Sequence, residues 1–191
     1  MQISQLLKQV EFIKEIDKIK YIQRKSKLFN SNRNENDAEH SWHLAMMVLV
    51  LAEHANSDID VLKVLKMVLI HDIVEIDAGD VFIFDTNKNH SNTQEELKAA
   101  NRIFGILPDN QAQEFIEIWL EFEEGNTNES KFAKAMDRFE PVLQNISNDG
   151  GTWVEHQVSH EKVLDKTKVM EEGSSVIWDY SKEQIDQLFN A

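Results

Sequence analysis

Cysteine is absent from the 191 residues. That excludes disulfides and thiolate metal sites, so a transition metal here has only imidazoles and carboxylates to draw on. Proline occurs twice and glycine six times, leaving long stretches free of strong breakers. Long apolar runs are missing as well: the longest, Leu44 to Ala52, is too short to span a bilayer. Glu11, Glu15 and Asp17 interrupt the apolar positions near the start, which is wrong for a signal peptide. A cytoplasmic protein that does not enter a membrane is the expectation.

Positive charge is scarce too. Twenty Lys and Arg face 34 Asp and Glu, a net charge of -14, so a nucleic-acid polymer is not an expected partner. One stretch departs from this balance. From Lys18 to Asn34 the chain carries Lys18, Lys20, Arg24, Lys25, Lys27 and Arg33 and no acidic residue. Two readings are open: a solvated loop balancing acidic neighbours, or a landing site for a small anion.

What is present is helical periodicity. Apolar residues recur at spacings of three and four, and the length fits one domain or one domain with an appendage. Ile3, Leu6, Leu7, Val10, Ile13 and Ile16 make an amphipathic stripe. Gln23 to Asn36 reads as a polar loop, and Asp37 as the cap of a helix with Trp42, Ala45, Met46, Leu49 and Ala52 facing inward. Ser57 and Asp58 break and cap the chain before a helix carrying Val61, Leu62, Leu65, Val68 and Leu69. A polar loop is expected from Gly79 to Asn92. Helices should follow from Thr93 to near Gly105, from Pro108 to Gly125, and from Thr127 through Phe132, Met136 and Phe139. Pro141 should end or kink the last of these about one turn after Asp137. Asn148 to Gly151 is the clearest break, with about two more helices beyond it. The fold class expected is all-α.

Three local features carry possible chemistry: Glu39-His40, the run from His71 to Glu75, and Asp137-Arg138. His71 and Asp72 are adjacent on a helical turn, and both can reach one metal. Glu75 lies three and four residues on, on the same face. Imidazoles and carboxylates together suit Mn, Fe, Co, Ni or Zn better than Mg. Each piece alone has a plain structural reading: an adjacent His-Asp pair arises often by chance, and Asp137 could simply pair with Arg138 or Lys134.

The order Glu-His, His-Asp-x-x-Glu, then a later helical Asp resembles the HD superfamily of metal-dependent phosphohydrolases. The likeness is greatest to the branch containing the 5′-deoxynucleotidases. It rests on the approach from Glu35 to Ser41, on His71 to Glu75 followed by Gly79-Asp80, and on Trp119 to Glu123. Thr127 to Glu129 and Asp137-Arg138-Phe139 complete it, so that it covers roughly residues 20 to 147.

The resemblance implies an HD-domain helical bundle, read over 1–150; the break at Asn148 to Gly151 sets off 151–191 as a helical extension packed on the same domain, without a counterpart in the shorter members. It implies one divalent transition metal held by His40, His71, Asp72 and Asp137. Glu75 would orient or deprotonate the attacking water, or pass a proton to the leaving oxygen, with Asp72 also at the reacting centre. Arg24 would contact the substrate phosphate and Asp80 would lie near the sugar; apart from the resemblance, Lys25 and Arg33 lie on the same basic loop leading into His40 and are expected as further anion contacts. The relatives place Trp where this chain has Lys25. The expected substrate is a small phosphorylated molecule, a (deoxy)nucleoside 5′-monophosphate, and the expected assembly a homodimer. Two alternatives remain open. An alarmone-type pyrophosphohydrolase resembles His-Asp-x-x-Glu-Asp, whereas Ile76 follows Glu75 here. A non-catalytic ligand-binding HD domain typically loses a ligand or the Glu, whereas this chain keeps all five.

Overall fold

The computed structural model describes residues 2–85 and 93–190; the end of the loop expected from Gly79 to Asn92 therefore lies outside the described residues. The architecture is helical throughout apart from one small hairpin. Helices α1 (Gln2–Ile16), α2 (Asp37–Leu51) and α3 (Val61–Ile70) precede a short turn, α4 (Glu75–Ala78). Then come α5 (Thr93–Phe104), α6 (Asp109–Glu124) and α7 (Asn128–Ser147). The chain closes with α8 (Gly151–Glu155), α9 (His160–Thr167), α10 (Met170–Gly173) and α11 (Ser175–Asn190). No helix among the described residues is long and apolar enough to cross a membrane.

Helix α7 is the spine. It packs against α2, α3, α6, α10 and α11, and buries Phe132, Ala133, Met136, Phe139 and Val142. Thr127 starts it through a capping box with Ser130. Pro141, expected to end or kink the helix, does not end it: α7 runs on to Ser147. The turn after Pro141 buries Val142, Gln144 and Asn145, and the Asn145 amide donates to the Pro141 carbonyl. Packing therefore outweighs the missing N–H. The final helices lie on this spine. A Cβ on Gly173 would overlap the Lys131 carbonyl oxygen, so only glycine lets α10 approach α7 so closely.

The polar loop expected from Gln23 to Asn36 contains a two-stranded antiparallel sheet, β1 (Gln23–Lys27) with β2 (Asn34–Asn36). Its alternation is polar on both faces. Arg24 and Ser26 turn inward while Gln23 and Lys25 turn outward, so no apolar period marks it as a strand.

Two caps and three helix faces differ from expectation. Asn36, not Asp37, caps α2, accepting from the Glu39 N–H while Glu39 accepts in return. That leaves the Asp37 carboxylate free to point inward. Asp60, not Asp58, caps α3 through the N–H groups of Leu62 and Lys63. Helix α2 buries His40, Ser41, Leu44, Met47 and Val48, whereas Trp42 is 65% exposed and Met46 and Leu49 are exposed with it. The stripe on α1 is likewise outward, with Ile3, Leu6, Leu7 and Ile13 exposed and Phe12 buried. On α3, Leu62 and Leu69 face out and Val64, Met67, Val68 and Ile70 face in.

Candidate metal centre and adjoining cavity

Helix α2 and the turn after α3 converge on the inner face of α7. Helix α2 supplies His40 in its first turn, and α7 supplies Asp137 nearly three turns after its cap. Helix α3 ends at Ile70, and the chain tightens into a 3₁₀ turn, His71–Val74, with all four residues buried. That turn aims His71 and Asp72 at the same point. His40, His71 and Asp72 offer donor atoms that all lie within 4.8 Å of one another.

The tautomers follow from the partners. His71 Nδ1 lies 3.1 Å from the Val68 carbonyl, which can only accept, so Nδ1 carries the proton. Its Nε2, buried and without a hydrogen-bond partner, lies 3.1 Å from Asp72 Oδ1 and 3.7 Å from Asp137 Oδ1. His40 repeats the pattern: Nδ1 faces Glu140 Oε2 at 3.3 Å, and Nε2 lies 3.1 Å from Asp137 Oδ1. Both Nε2 lone pairs thus meet carboxylate oxygens, which repel them unless a proton or a cation lies between. A buried pair of imidazoles and a pair of carboxylates fits a divalent ion of mixed N/O preference.

Electrostatics around the point are steep. Burial and the nearby Arg24 oppose charge on His40, but Asp137, Glu140 and Glu35 hold its pKa well above the usual imidazole value. Burial also opposes charge on Asp137, yet Arg138 and the two histidines hold it well below the carboxylate range. Glu75 goes the other way. Burial, then Asp72 and Asp37, push its carboxyl up to about 12. Burial and Asp72 likewise raise Asp37 to about 6, and the two carboxyls hydrogen-bond to each other. A proton shared between them relieves the repulsion of adjacent buried carboxylates.

A cavity of about 270 Å³ opens beside these groups. His71, Asp72, Glu75 and Asp137 form part of its wall together with Arg24, Lys25 and Asp80. Gly79, at φ +77, turns the chain out of α4 so that Asp80 reaches the cavity. Thr152, Trp153, Lys166 and Thr167 from the last helices line it too.

Of the residues singled out in the sequence, His40 and Arg33 are not part of the cavity lining: His40 is fully buried behind it, and Arg33 lies apart. Both of its terminal nitrogens bond to Glu39, the glutamate of the α2 capping box. Much of the basic island is used the same way: Lys18 pairs with Glu15, Lys20 with Asp17 and Lys27 with Glu155. Arg24 instead points inward, its Nη1 2.9 Å from Asp72 Oδ2 and 3.3 Å from Asp37 Oδ1. Lys25 makes no ion pair among the described residues. The balancing role therefore accounts for most of the island, and an anion site is left only to Arg24 and Lys25.

Sequence reading gave no role at the centre to Asp37, Glu35, Glu140 and His43, all of which the structure gathers around it. Glu140 had a legible signal, being three residues after Asp137 on the same helical face. Glu35 and Asp37 had none, because their burial depends on the hairpin.

Residues 16–178 match the family model described as HD domain. The chain belongs to the HD-domain family. Among known proteins, it is similar to 5′-deoxynucleotidase HDDC2 of Bos taurus, 28% identical over 137 residues, covering 71% of this chain and 65% of that protein. The HDDC2 5′-deoxynucleotidase of Dictyostelium discoideum is 30% identical over 141 residues, covering 71% of this chain and 74% of the relative. The chain thus spans just under two thirds of the bovine relative's length. A protein from Magnetospirillum magnetotacticum MS-1, described as a predicted metal-dependent phosphohydrolase, has a crystal structure that superposes with TM-score 0.92 at 44% identity. The superposition covers 98% of this chain and 96% of that one. The HD-family match continues past Gly151 into α11, so the segment from 151 is not confined to this chain alone.

Proposed function

We propose that this HD-domain protein is a metal-dependent phosphohydrolase that removes phosphate from (deoxy)nucleoside 5′-monophosphates. The observation that carries the proposal is the pair of imidazole Nε2 atoms of His40 and His71 set against Asp72 and Asp137, with His71, Asp72 and Asp137 in the wall of a cavity and His40 buried behind them. The names of the HDDC2 relatives support the substrate class. In this reading His40, His71, Asp72 and Asp137 hold one divalent ion, with Mn, Co, Fe, Ni or Zn preferred to Mg by the donor set.

When bound, the ion lowers the pKa of a water and offsets the charge of the phosphate. The chain's own residues do the rest. Arg24, tied to Asp72 and facing the cavity, offers its guanidinium to phosphate oxygens, with Lys25 as a second cation. Asp80 faces the sugar. Glu75 lines the cavity beside Asp72, and burial, Asp72 and Asp37 push its carboxyl up to about 12. Its place on the wall lets it exchange a proton with the attacking water or the leaving sugar oxygen. Arg33 is left out of the substrate site because Glu39 occupies its guanidinium.

Segment 151–191 is proposed as an integral part of the domain, since Thr152, Trp153, Lys166 and Thr167 line the cavity. A homodimer and a cytoplasmic location complete the reading. The outward apolar residues of α2, Trp42, Met46, Leu49 and Val50, support the dimer, and light scattering on the purified protein tests it. Phosphate release from a panel of nucleotides, after chelation and after metal add-back, tests the activity. Release that depends on metal and favours 5′-monophosphates is expected; release indifferent to chelation refutes the reading.

A further inference from the structure

On the far side of His40 from Asp137 lies a second, fully buried group of side chains. Glu140 is 0% exposed and sits one turn after Asp137 on α7. Its Oε2 accepts from His40 Nδ1 at 3.3 Å. Its Oε1 accepts from His43 Nδ1 at 3.2 Å and from the Gln144 amide. Glu35 is nearly as buried but less engaged: its Oε2 is 3.5 Å from His40 Nδ1 and has no hydrogen-bond partner.

A buried carboxylate is costly unless donors surround it. Glu140 has three, on α2 and on its own helix, and two of them do nothing else at the centre. Their effect is to fix the carboxylate in place and leave Oε2 aimed at His40. An imidazole that binds a cation through Nε2 must keep its proton on Nδ1. An acceptor held against that proton fixes the tautomer, fixes the ring plane and makes Nε2 a better donor.

We infer that Glu140 is a positioning residue for metal binding: clamped by His43 and Gln144, it holds the His40 ring with Nε2 turned toward Asp137 and Asp72. This rests on the reading of His40 as a metal ligand. The α7 spine thus serves the centre twice, Asp137 reaching it directly and Glu140 acting through His40.

The test is Co²⁺ binding to chelator-stripped protein, read by competition with a colorimetric chelator and by the visible absorption of bound Co²⁺. The proteins are wild type, Glu140→Ala, Glu140→Gln and Glu35→Gln. Glu140→Ala should weaken Co²⁺ binding by roughly 10- to 100-fold and alter the visible bands, as loss of an outer partner of a ligating histidine does. Glu140→Gln, which keeps an acceptor of the same shape, should recover part of that loss, and Glu35→Gln should stay within about threefold of wild type by the same reasoning. Helical circular dichroism of the stripped proteins should be the same in all four; a merely structural role would change it. If Glu140→Ala does not fold, Glu140→Gln decides, with weaker binding and altered bands expected. Unchanged Co²⁺ affinity and bands in both Glu140 variants would overturn the inference while leaving the metal reading intact. Failure of wild type itself to bind Co²⁺ would overturn both.

Discussion

Arg24 reaches from strand β1 to Asp72, its Nη1 2.9 Å from Asp72 Oδ2. That contact ties the hairpin to the candidate metal centre and sets the guanidinium on the cavity wall, the position proposed above for phosphate binding. Arg24→Ala should therefore mainly raise KM for a 5′-monophosphate, by an amount that shrinks as salt screens the charge. Steady-state kinetics at two ionic strengths check this. An unchanged KM would mean that Arg24 only braces Asp72 and Asp37.

Lys25 follows Arg24 on the outward face of the same strand and lines the cavity. A flexible cation makes a poorer steric wall beside a sugar than the tryptophan of the deoxynucleotidases. Matched ribo- and deoxyribonucleotides should accordingly differ little in kcat/KM, and Lys25→Trp should widen the gap in favour of the deoxy form. Strong deoxy selectivity in the wild type would show that this strand does not border the sugar.

Glu75 separates binding from chemistry. Its carboxyl hydrogen-bonds to Asp37, and burial, Asp72 and Asp37 push its pKa up. Glu75→Ala should keep the metal and lose turnover by roughly 10²- to 10⁴-fold, the scale of a proton-transfer contribution. Loss of the metal with unchanged turnover per remaining ion would make Glu75 a ligand instead.

How far the sequence could go depended on which residues face inward. Helices α6 and α7 announce themselves because their buried sides are apolar: Ile118, Trp119 and Phe122, then Phe132, Met136 and Phe139. Helix α2 misleads because nearly every position after Ser41 is apolar, so periodicity alone cannot choose a face. The inward side is the one bearing His40 and Ser41, which hydrophobicity would place outside. The hairpin misleads for a related reason, since its inward residues, Arg24 and Ser26, are polar. The candidate centre was legible as spaced motifs. The carboxylates behind it were not, because Glu35 and Asp37 become buried only when β1 pairs with β2.

His43 gives the pH behaviour a definite sign. Its hydrogen bond to Glu140, opposed by partial burial, raises its pKa above 6.5. Glu140 in turn, against burial, is held down at about 2 by His40 and His43. A raised histidine binds its proton more tightly folded than unfolded, so its stabilisation is complete below the unfolded value and fades as pH climbs through the folded one. Denaturant unfolding of chelator-treated wild type and His43→Gln should therefore differ most below pH 6.5 and converge in mildly alkaline buffer. A difference that grows with pH would contradict the protonated His43–Glu140 pair.

The account turns on whether His40, His71, Asp72 and Asp137 hold one metal. Elemental analysis of purified wild type, His71→Ala and Asp72→Ala, each equilibrated with Mn²⁺ or Co²⁺ and freed of loosely bound ion, tests this most directly. About one divalent transition metal per chain in the wild type is expected from a single closed set of N/O donors, with little or none in either variant. Full metal content in both variants, or none in the wild type, would contradict it.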